Sequence, residues 1–362
     1  MIDFTSALYL GMRHPSRALA PWARLTTGVP AVLGMPPGAE AVAAALAALM
    51  GCPRAVLAPS TLHLAWDVLG LLARDPVRLY LDAGAYPVLR WGAERAAAHG
   101  APVHPFRHHD AGALRRLLRR DAGDPRRPVV VSDGWCPRCG EAAPLAAYLA
   151  AARRHRGRLL IDDTQALGIL GRRPTPAAPY GQGGGGTLCW LGLEGADVAV
   201  LASMAKGFGV PVAVLAGSRS FVQSFEEFGE TRVHSSPPSA AVIHAAAHAL
   251  ACNAARGAAL RARLFRRVQQ FRRLLAALGL GARGGVFPMQ VLAAPRGLHA
   301  PRLYASLREA GIRAVLLRDR AGSGAALAFV LTARHTEADL QRTARALRRH
   351  FGPPGSTHLL AS

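Results

Sequence analysis

Residues 158–171 read RLLIDDTQALGILG and residues 200–218 read VLASMAKGFGVPVAVLAGS. The first is an apolar run that stops on two aspartates and a turn; the second is an apolar run that stops on the chain's single lysine, Lys206, before another apolar run. Short apolar runs bounded by turn residues are the pattern of strands buried on both faces, as in a parallel sheet. One lysine stands against 43 arginines, where a chain of this size would ordinarily carry roughly 20 lysines. Arg can replace Lys wherever positive charge is enough. It cannot replace an amine that must lose its proton and act as a nucleophile.

Outward from these two stretches the same alternation repeats. RAVLAPST (54–61), VRLYLDAG (77–84) and PVVVSDG (128–134) read as strands, while LHLAWDVLGLLAR (62–74) and APLAAYLAAARRHRG (143–157) read as helices. GAEAVAAALAALM (38–50) reads as a helix closed by Gly51. Strands alternating with helices of this length define βαβ units, so the middle of the chain is expected to be an α/β domain with a largely parallel sheet. A long helical stretch follows from Ser235 to Gly279, and from about residue 281 short strands alternate with helices, which predicts a smaller C-terminal domain. The expected division is an N-terminal arm over 1–37, a large domain over 38–265, a small α+β domain over 266–352 and a disordered tail over 353–362. PYGQGGGG (179–186) lacks dinucleotide-fingerprint spacing and is expected to be a flexible loop.

Composition narrows the setting. The chain has 362 residues, is 51% hydrophobic and carries a formal net charge of +22. It has no apolar run of about 18 residues and no basic-then-apolar leader, so a soluble, cytoplasmic protein with no membrane span is expected. Five cysteines do not make a disulfide framework. The charge suits polyanionic partners, yet the arginine clusters at 115–127 and 261–273 have helical spacing and read as solvated helix faces rather than a specific nucleic-acid surface. Cys136 and Cys139 form a C-x-x-C with no second pair and read as an ordinary loop. His104, His108 and His109 read as a solvated turn around Pro105.

In an open parallel sheet, ligands sit beyond the carboxyl ends of the strands. Ser60, Asp82, Asp133, Asp162 and Lys206 all fall at such ends. A carboxylate to hold a ring nitrogen protonated, together with an amine to hold an aldehyde, is what pyridoxal phosphate requires.

The order of motifs resembles one family. RLLIDDTQALGILG is similar to the D-E-A-H-x-x-G-x-L-G stretch of the α-oxoamine synthases, which are fold-type I pyridoxal phosphate enzymes with the aminotransferase class I/II fold. VLASMAKGFGVPVAVLAGS resembles their T-L-S-K-A-F-G-x-x-G-G-Y-x-A-G-S. LYLGM (8–12), VVVSDGWCPRCGEAAPL (129–145), VHSSPPSAA (233–241) and LTARHTEADL (331–340) resemble further family motifs in the right order. The resemblance covers nearly the whole chain, fitting poorly only near 172–190 and 313–328. It implies a large domain with a mostly parallel seven-stranded sheet, a small C-terminal domain and a homodimer. It implies pyridoxal 5'-phosphate as cofactor, an amino acid and an acyl thioester on coenzyme A or an acyl carrier protein as substrates, and loss of CO2.

Carried over residue by residue, the resemblance makes Lys206 the Schiff-base lysine and acid/base, and Asp162 the partner of the pyridine nitrogen. Ser60 and Thr61 fall at the turn into the helix that receives the phosphate, where backbone N–H groups favour an anion. Ser203 falls on a phosphate-contacting Thr, and Asp133 stands where the family has Glu. Tyr86 aligns with the histidine that stacks on the ring, and Gln165 replaces the histidine of D-E-A-H. The family's carboxylate-binding Arg aligns on Leu316, with Arg318 and Arg320 near enough to serve after a small shift. Those departures leave a second reading open, an aminotransferase or an aldolase/lyase on the same scaffold.

Overall fold

The computed structural model describes residues 1–293, 299–318 and 325–350. Arg320 and the tail over 353–362 lie outside the described residues. By internal packing the chain divides into two compact units, one comprising Met12–Cys136 and Ala142–Ala258, the other Met1–Gly11, Pro137–Glu141 and the residues from Ala259 onward.

The first unit is built on a seven-stranded sheet. In chain order its strands are β1 (Arg54–Ala58), β2 (Val77–Asp82), β3 (Val103–Phe106), β4 (Arg127–Asp133), β5 (Arg158–Asp162), β6 (Val198–Ser203) and β7 (Ala213–Gly217). They lie side by side as β1-β7-β6-β5-β4-β2-β3. β6, β5, β4, β2 and β3 pair in parallel, and β7 runs antiparallel to both its neighbours. The runs VVV of β4 and LLI of β5 are fully buried because helices cover both faces. One apolar layer packs α1 (Ala39–Met50) and α5 (Leu145–Arg153) on one side, and the other packs α2 (Thr61–Leu72) and α3 (Pro87–Ala98).

Each helix starts and stops for a local reason. Ser60 caps α2 by accepting the His63 N–H, Pro87 sits in the first turn of α3, and Gly51 closes α1 at φ 70°. The arginine cluster at 115–127 opens on α4 (Ala111–Arg120), whose Arg115, Arg116, Arg119 and Arg120 are exposed as expected. α6 (Arg219–Phe228) follows β7, and α7 (Ala240–Ala276) runs for 37 residues. Arg261 departs from the solvated-face reading: it is 4% exposed, and burial pushes its guanidinium down to about 10.

Two other readings are corrected. HPF around Pro105 is the end of edge strand β3, where a missing N–H faces no partner strand. The end of the glycine run is a packed segment: Gly183 is exposed, Gly184, Gly185 and Gly186 are buried, and the Gly186 N–H donates to Leu170 O at 2.7 Å.

The second unit carries a four-stranded antiparallel sheet, β8 (Gly281–Arg283), β9 (Met289–Ala293), β10 (Val315–Arg318) and β11 (Ala325–Val330), in the order β8-β9-β11-β10. α8 (Ala300–Glu309) and α9 (Glu337–Arg348) pack with it around Phe4, Phe271 and Phe329. Ile2 and Asp3 pair in parallel with Ile312 and Arg313, which fixes the N-terminus to this unit.

Candidate active site

The carboxyl ends of β1, β2, β4, β5 and β6 share one edge of the large sheet, and the register places their terminal residues. Asp133 of β4 pairs with Asp162 of β5, Asp162 pairs with Leu201 of β6, and Ser203 pairs with Ala213 of β7, which in turn pairs with Ala58 of β1. Ser60 follows Ala58 by two residues. Lys206 follows Ser203 by three. Ser60, Asp133, Asp162 and Lys206 are thereby collected at one edge, as expected of strand ends, and Ser203, which the resemblance supplied, lies with them.

Asp133 and Asp162 are 5% and 6% exposed. Two buried carboxylates side by side disfavour each other's charge, so burial and Asp162 raise Asp133 well above the usual carboxylate range. Burial raises Asp162 as well, opposed by hydrogen bonding from Thr164 and by the charge of Lys206. Lys206 is half-buried. Burial lowers its proton affinity, against the attraction of Asp162 and Asp133. Among the described residues its amine has no hydrogen bond and no ion pair within 4.0 Å. An amine of lowered basicity, under the electrostatic influence of a buried carboxylate pair, is suited to nucleophilic attack on an aldehyde.

Thr164, which the sequence reading did not single out, locks this arrangement. Its N–H donates to Asp162 Oδ1 at 2.9 Å, and its hydroxyl oxygen accepts the Ser203 N–H at 3.0 Å. Ser203 Oγ then accepts the Ala205 N–H at 3.1 Å, shaping the turn into Lys206. Only its position in the DDTQ turn could have flagged Thr164. Gln165, one residue on, is buried at 8% exposure.

Tyr86 caps α3. Its N–H lies 3.1 Å from each oxygen of Asp133, and its side chain is 47% exposed, open to a planar ligand. At the start of α2, Ser60 Oγ is 2.8 Å from His63 Nδ1, and Thr61 is the first helical residue. The free N–H groups of that turn face the end where an anion is stabilised. His63 was also missed by the sequence reading; its spacing of three from the cap is the signal, since side chains on a helix lean back toward its N-terminus.

Asp82, another strand-end candidate, is fully engaged elsewhere. It accepts from Gly84 N, His109 N, Tyr148 OH and His108 Nδ1 at 2.8, 3.1, 3.0 and 2.6 Å. The solvated-turn reading of His108 is thus overturned: hydrogen bonding to Asp82 pushes its imidazole up to about 10. Asp163 is likewise structural, accepting from Thr187 N at 2.7 Å and Thr187 Oγ1 at 2.5 Å. Among the described residues none of the five cysteines, Cys52, Cys136, Cys139, Cys189 and Cys252, is in a disulfide. Arg318 is the last residue of β10, and Leu316 pairs with Leu327 inside that sheet.

The residues fit pyridoxal phosphate. A buried carboxylate with one oxygen held by Thr164 keeps acceptor capacity for a protonated ring nitrogen, and a lysine without a partner stands beside it. This fold and this edge define a fold-type I pyridoxal phosphate-dependent enzyme. The comparisons agree. Residues 1–347 match the aminotransferase class I and II family. An 8-amino-7-oxononanoate synthase of Stutzerimonas stutzeri is 32% identical over 252 residues, 68% of this chain and 60% of that protein. One from Sodalis glossinidius is 29% identical over 96% of this chain and 87% of that protein. A serine palmitoyltransferase variant from S. paucimobilis, with bound pyridoxal phosphate and myriocin, superposes with a TM-score of 0.81 at 19% identity, over 96% of this chain and 86% of that one. The chain belongs to the aminotransferase class I and II family, and within it to the α-oxoamine synthase group. No described helix is long and apolar enough to cross a membrane.

Proposed function

We propose that the protein is a pyridoxal phosphate-dependent acyltransferase that condenses an amino acid with an acyl thioester, releasing the thiol and CO2. The observation that carries this reading is the Lys206 amine, without a hydrogen bond or ion pair among the described residues, lying within the electrostatic reach of the buried Asp133–Asp162 pair. When bound, pyridoxal phosphate supplies an aldehyde that holds the amino acid and a ring that accepts electron density from its Cα.

The chain's own residues do the rest. Lys206 would hold the aldehyde until the amino acid's amine takes its place, and the amine so released, lowered in basicity by burial, would take the Cα proton. Asp162 keeps a proton at the ring nitrogen, Asp133 lies beside it, and Tyr86 covers a ring face. Gln165 reaches the phenolic oxygen as a neutral hydrogen-bond partner. Ser60, Thr61 and Ser203 hold the phosphate by hydroxyls and helix N–H groups. The amino-acid carboxylate calls for a guanidinium, for which the resemblance offers Arg318 and Arg320. The net charge of +22 favours a thioester on coenzyme A or on an acidic acyl carrier protein, and the protein works as a cytoplasmic homodimer.

Gln165 and Tyr86 replace two titratable groups of the resembled family, which favours a second reading, transamination or a retro-aldol/lyase step on the same scaffold. Purified protein given amino acids and acyl thioesters separates the two. Stoichiometric thiol and CO2 release supports condensation. Pyridoxamine phosphate formation without thiol release overturns it.

A further inference from the structure

The turn that presents Lys206 is held from behind. The carbonyl of Phe208, two residues past Lys206, lies 2.8 Å from His14 Nε2. His14 Nδ1 lies 2.9 Å from His248 Nδ1 on α7, and Cys252 Sγ, one turn further along the same helix, lies 3.6 Å from His248 Nε2 and 3.9 Å from its Nδ1. A carbonyl can only accept, and that fact orients every proton in the series. His14 must carry its proton on Nε2 to donate to Phe208, so neutral His14 offers a lone pair at Nδ1. His248 must then donate from Nδ1, which leaves its Nε2 as an acceptor for the Cys252 thiol.

We propose that His14 and His248 are positioning residues for Lys206: a one-way series of hydrogen bonds from Cys252 through both imidazoles to the Phe208 carbonyl fixes the turn that aims the amine. The inference rests on the assignment of Lys206 as the cofactor-holding residue. Phe208 is wholly buried, so a carbonyl there without a donor would be costly, and the turn is held in one conformation by supplying one. The groups acting electrostatically on His248 are His14 from the N-terminal segment and Arg256 on its own helix, and Arg256 also donates to Cys252 Sγ at 3.4 Å. Both oppose a further proton, and with burial they lower the proton affinity of His248.

Amide hydrogen exchange on the purified protein with saturating pyridoxal phosphate tests this, alongside steady-state rates. His14→Phe is expected to speed exchange in segment 204–210 about tenfold and to lower kcat with KM within about twofold, because substrate contacts are untouched while the amine wanders. His14→Gln keeps a donor for Phe208 and is expected to restore both within about threefold. His248→Phe leaves His14 free to turn and falls between the two. Unchanged exchange at 204–210 in His14→Phe overturns the proposal. So does faster exchange spread evenly over the sheet, which marks general support, or failure of His14→Gln to restore the turn. If the wild type takes up no pyridoxal phosphate while the exchange pattern follows the variants as stated, the cofactor assignment fails and the series of hydrogen bonds stands.

Discussion

The N–H of Tyr86 points between the two oxygens of Asp133, 3.1 Å from each. The carboxylate therefore fixes the first turn of α3 and with it the place of the Tyr86 ring. Asp133→Asn keeps an acceptor for that N–H and resembles the protonated acid that burial beside Asp162 favours. Asp133→Ala removes the acceptor and leaves that part-buried N–H unpaired, a loss of about 1 kcal/mol. In thermal unfolding near neutral pH, Asn is expected to match or exceed the wild type, and Ala to fall several degrees below both. An acid whose folded pKa is raised loses stability as pH climbs through and above its unfolded pKa, so the advantage of Asn over wild type should grow from pH 4 upward. A gap between Asn and wild type that narrows with rising pH would place a full charge on Asp133.

The cofactor link is read directly from colour. Wild-type protein incubated with pyridoxal phosphate should absorb in the yellow-giving range and, after borohydride, carry the added mass on the peptide containing Lys206. Lys206→Ala should show neither. Lys206→Arg should also fail, because a guanidinium keeps its proton. Colour retained in the Arg variant would remove Lys206 from the role.

At the start of α2 the phosphate and the rest of the cofactor can be told apart. Ser60→Ala removes the cap that accepts the His63 N–H and a hydroxyl facing the anion end. Its affinity for pyridoxal phosphate, titrated by absorbance, is expected to fall about tenfold, corresponding to about 1.4 kcal/mol. Affinity for pyridoxal, which lacks the phosphate, should hold within about twofold. Equal losses for both ligands would place the phosphate elsewhere.

Much of this was legible in sequence for definable reasons. Buried parallel strands announce themselves as unbroken apolar runs, and the residues that end them are placed by the topology, so Ser60, Asp133, Asp162 and Lys206 could be gathered from sequence, together with Asp82, which proves to be engaged elsewhere; Ser203 came from the family resemblance. Strand β3 was not legible, since an edge strand of four residues containing a proline carries no such run. His108 was not legible for another reason: its partner Asp82 is 26 residues away, and nothing local distinguishes a paired histidine from a solvated one. The same holds for the series from Cys252 to Phe208, where His14 and His248 lie 234 residues apart.

The His108–Asp82 pair gives a pH signature. His108 is raised to about 10, so its contribution is fully present below the ordinary histidine value of about 6.5 and is lost as pH rises toward 10. His108 is partly exposed, which limits the pair to about 1 kcal/mol. His108→Ala is expected to lower the Tm at pH 6 by a few degrees and to leave it within a degree of wild type at pH 10.5. Asp82 itself keeps three other donors, so the variant should fold. An equal deficit at both pH values would make the imidazole a packing group only.

Asp163 is held in a closed space that only glycine permits. A Cβ at Gly186 would stand 2.0 Å from Asp163 Oδ2, and φ at Gly186 is 99°, a region side chains avoid. Gly186→Ala must displace the carboxylate, break its bonds to Thr187 or shift the backbone, which together should cost about 3 kcal/mol or more. Asp163 is also raised to about 7 by burial, so its charge costs stability once pH exceeds the ordinary carboxylate range, by up to about 4 kcal/mol at pH 7 and above. Asp163→Asn keeps the Thr187 contacts with one amide turned toward the hydroxyl and removes that charge, so its unfolding curves should be less pH-sensitive than wild type between pH 4 and 7. Because residues 163 and 186 touch, Asp163→Ala should relieve Gly186→Ala, and the double variant should lose less than the sum of the two singles. Strict additivity in that cycle, or a Gly186→Ala protein with wild-type Tm, would show that the space can yield and that the glycine run is there for another reason.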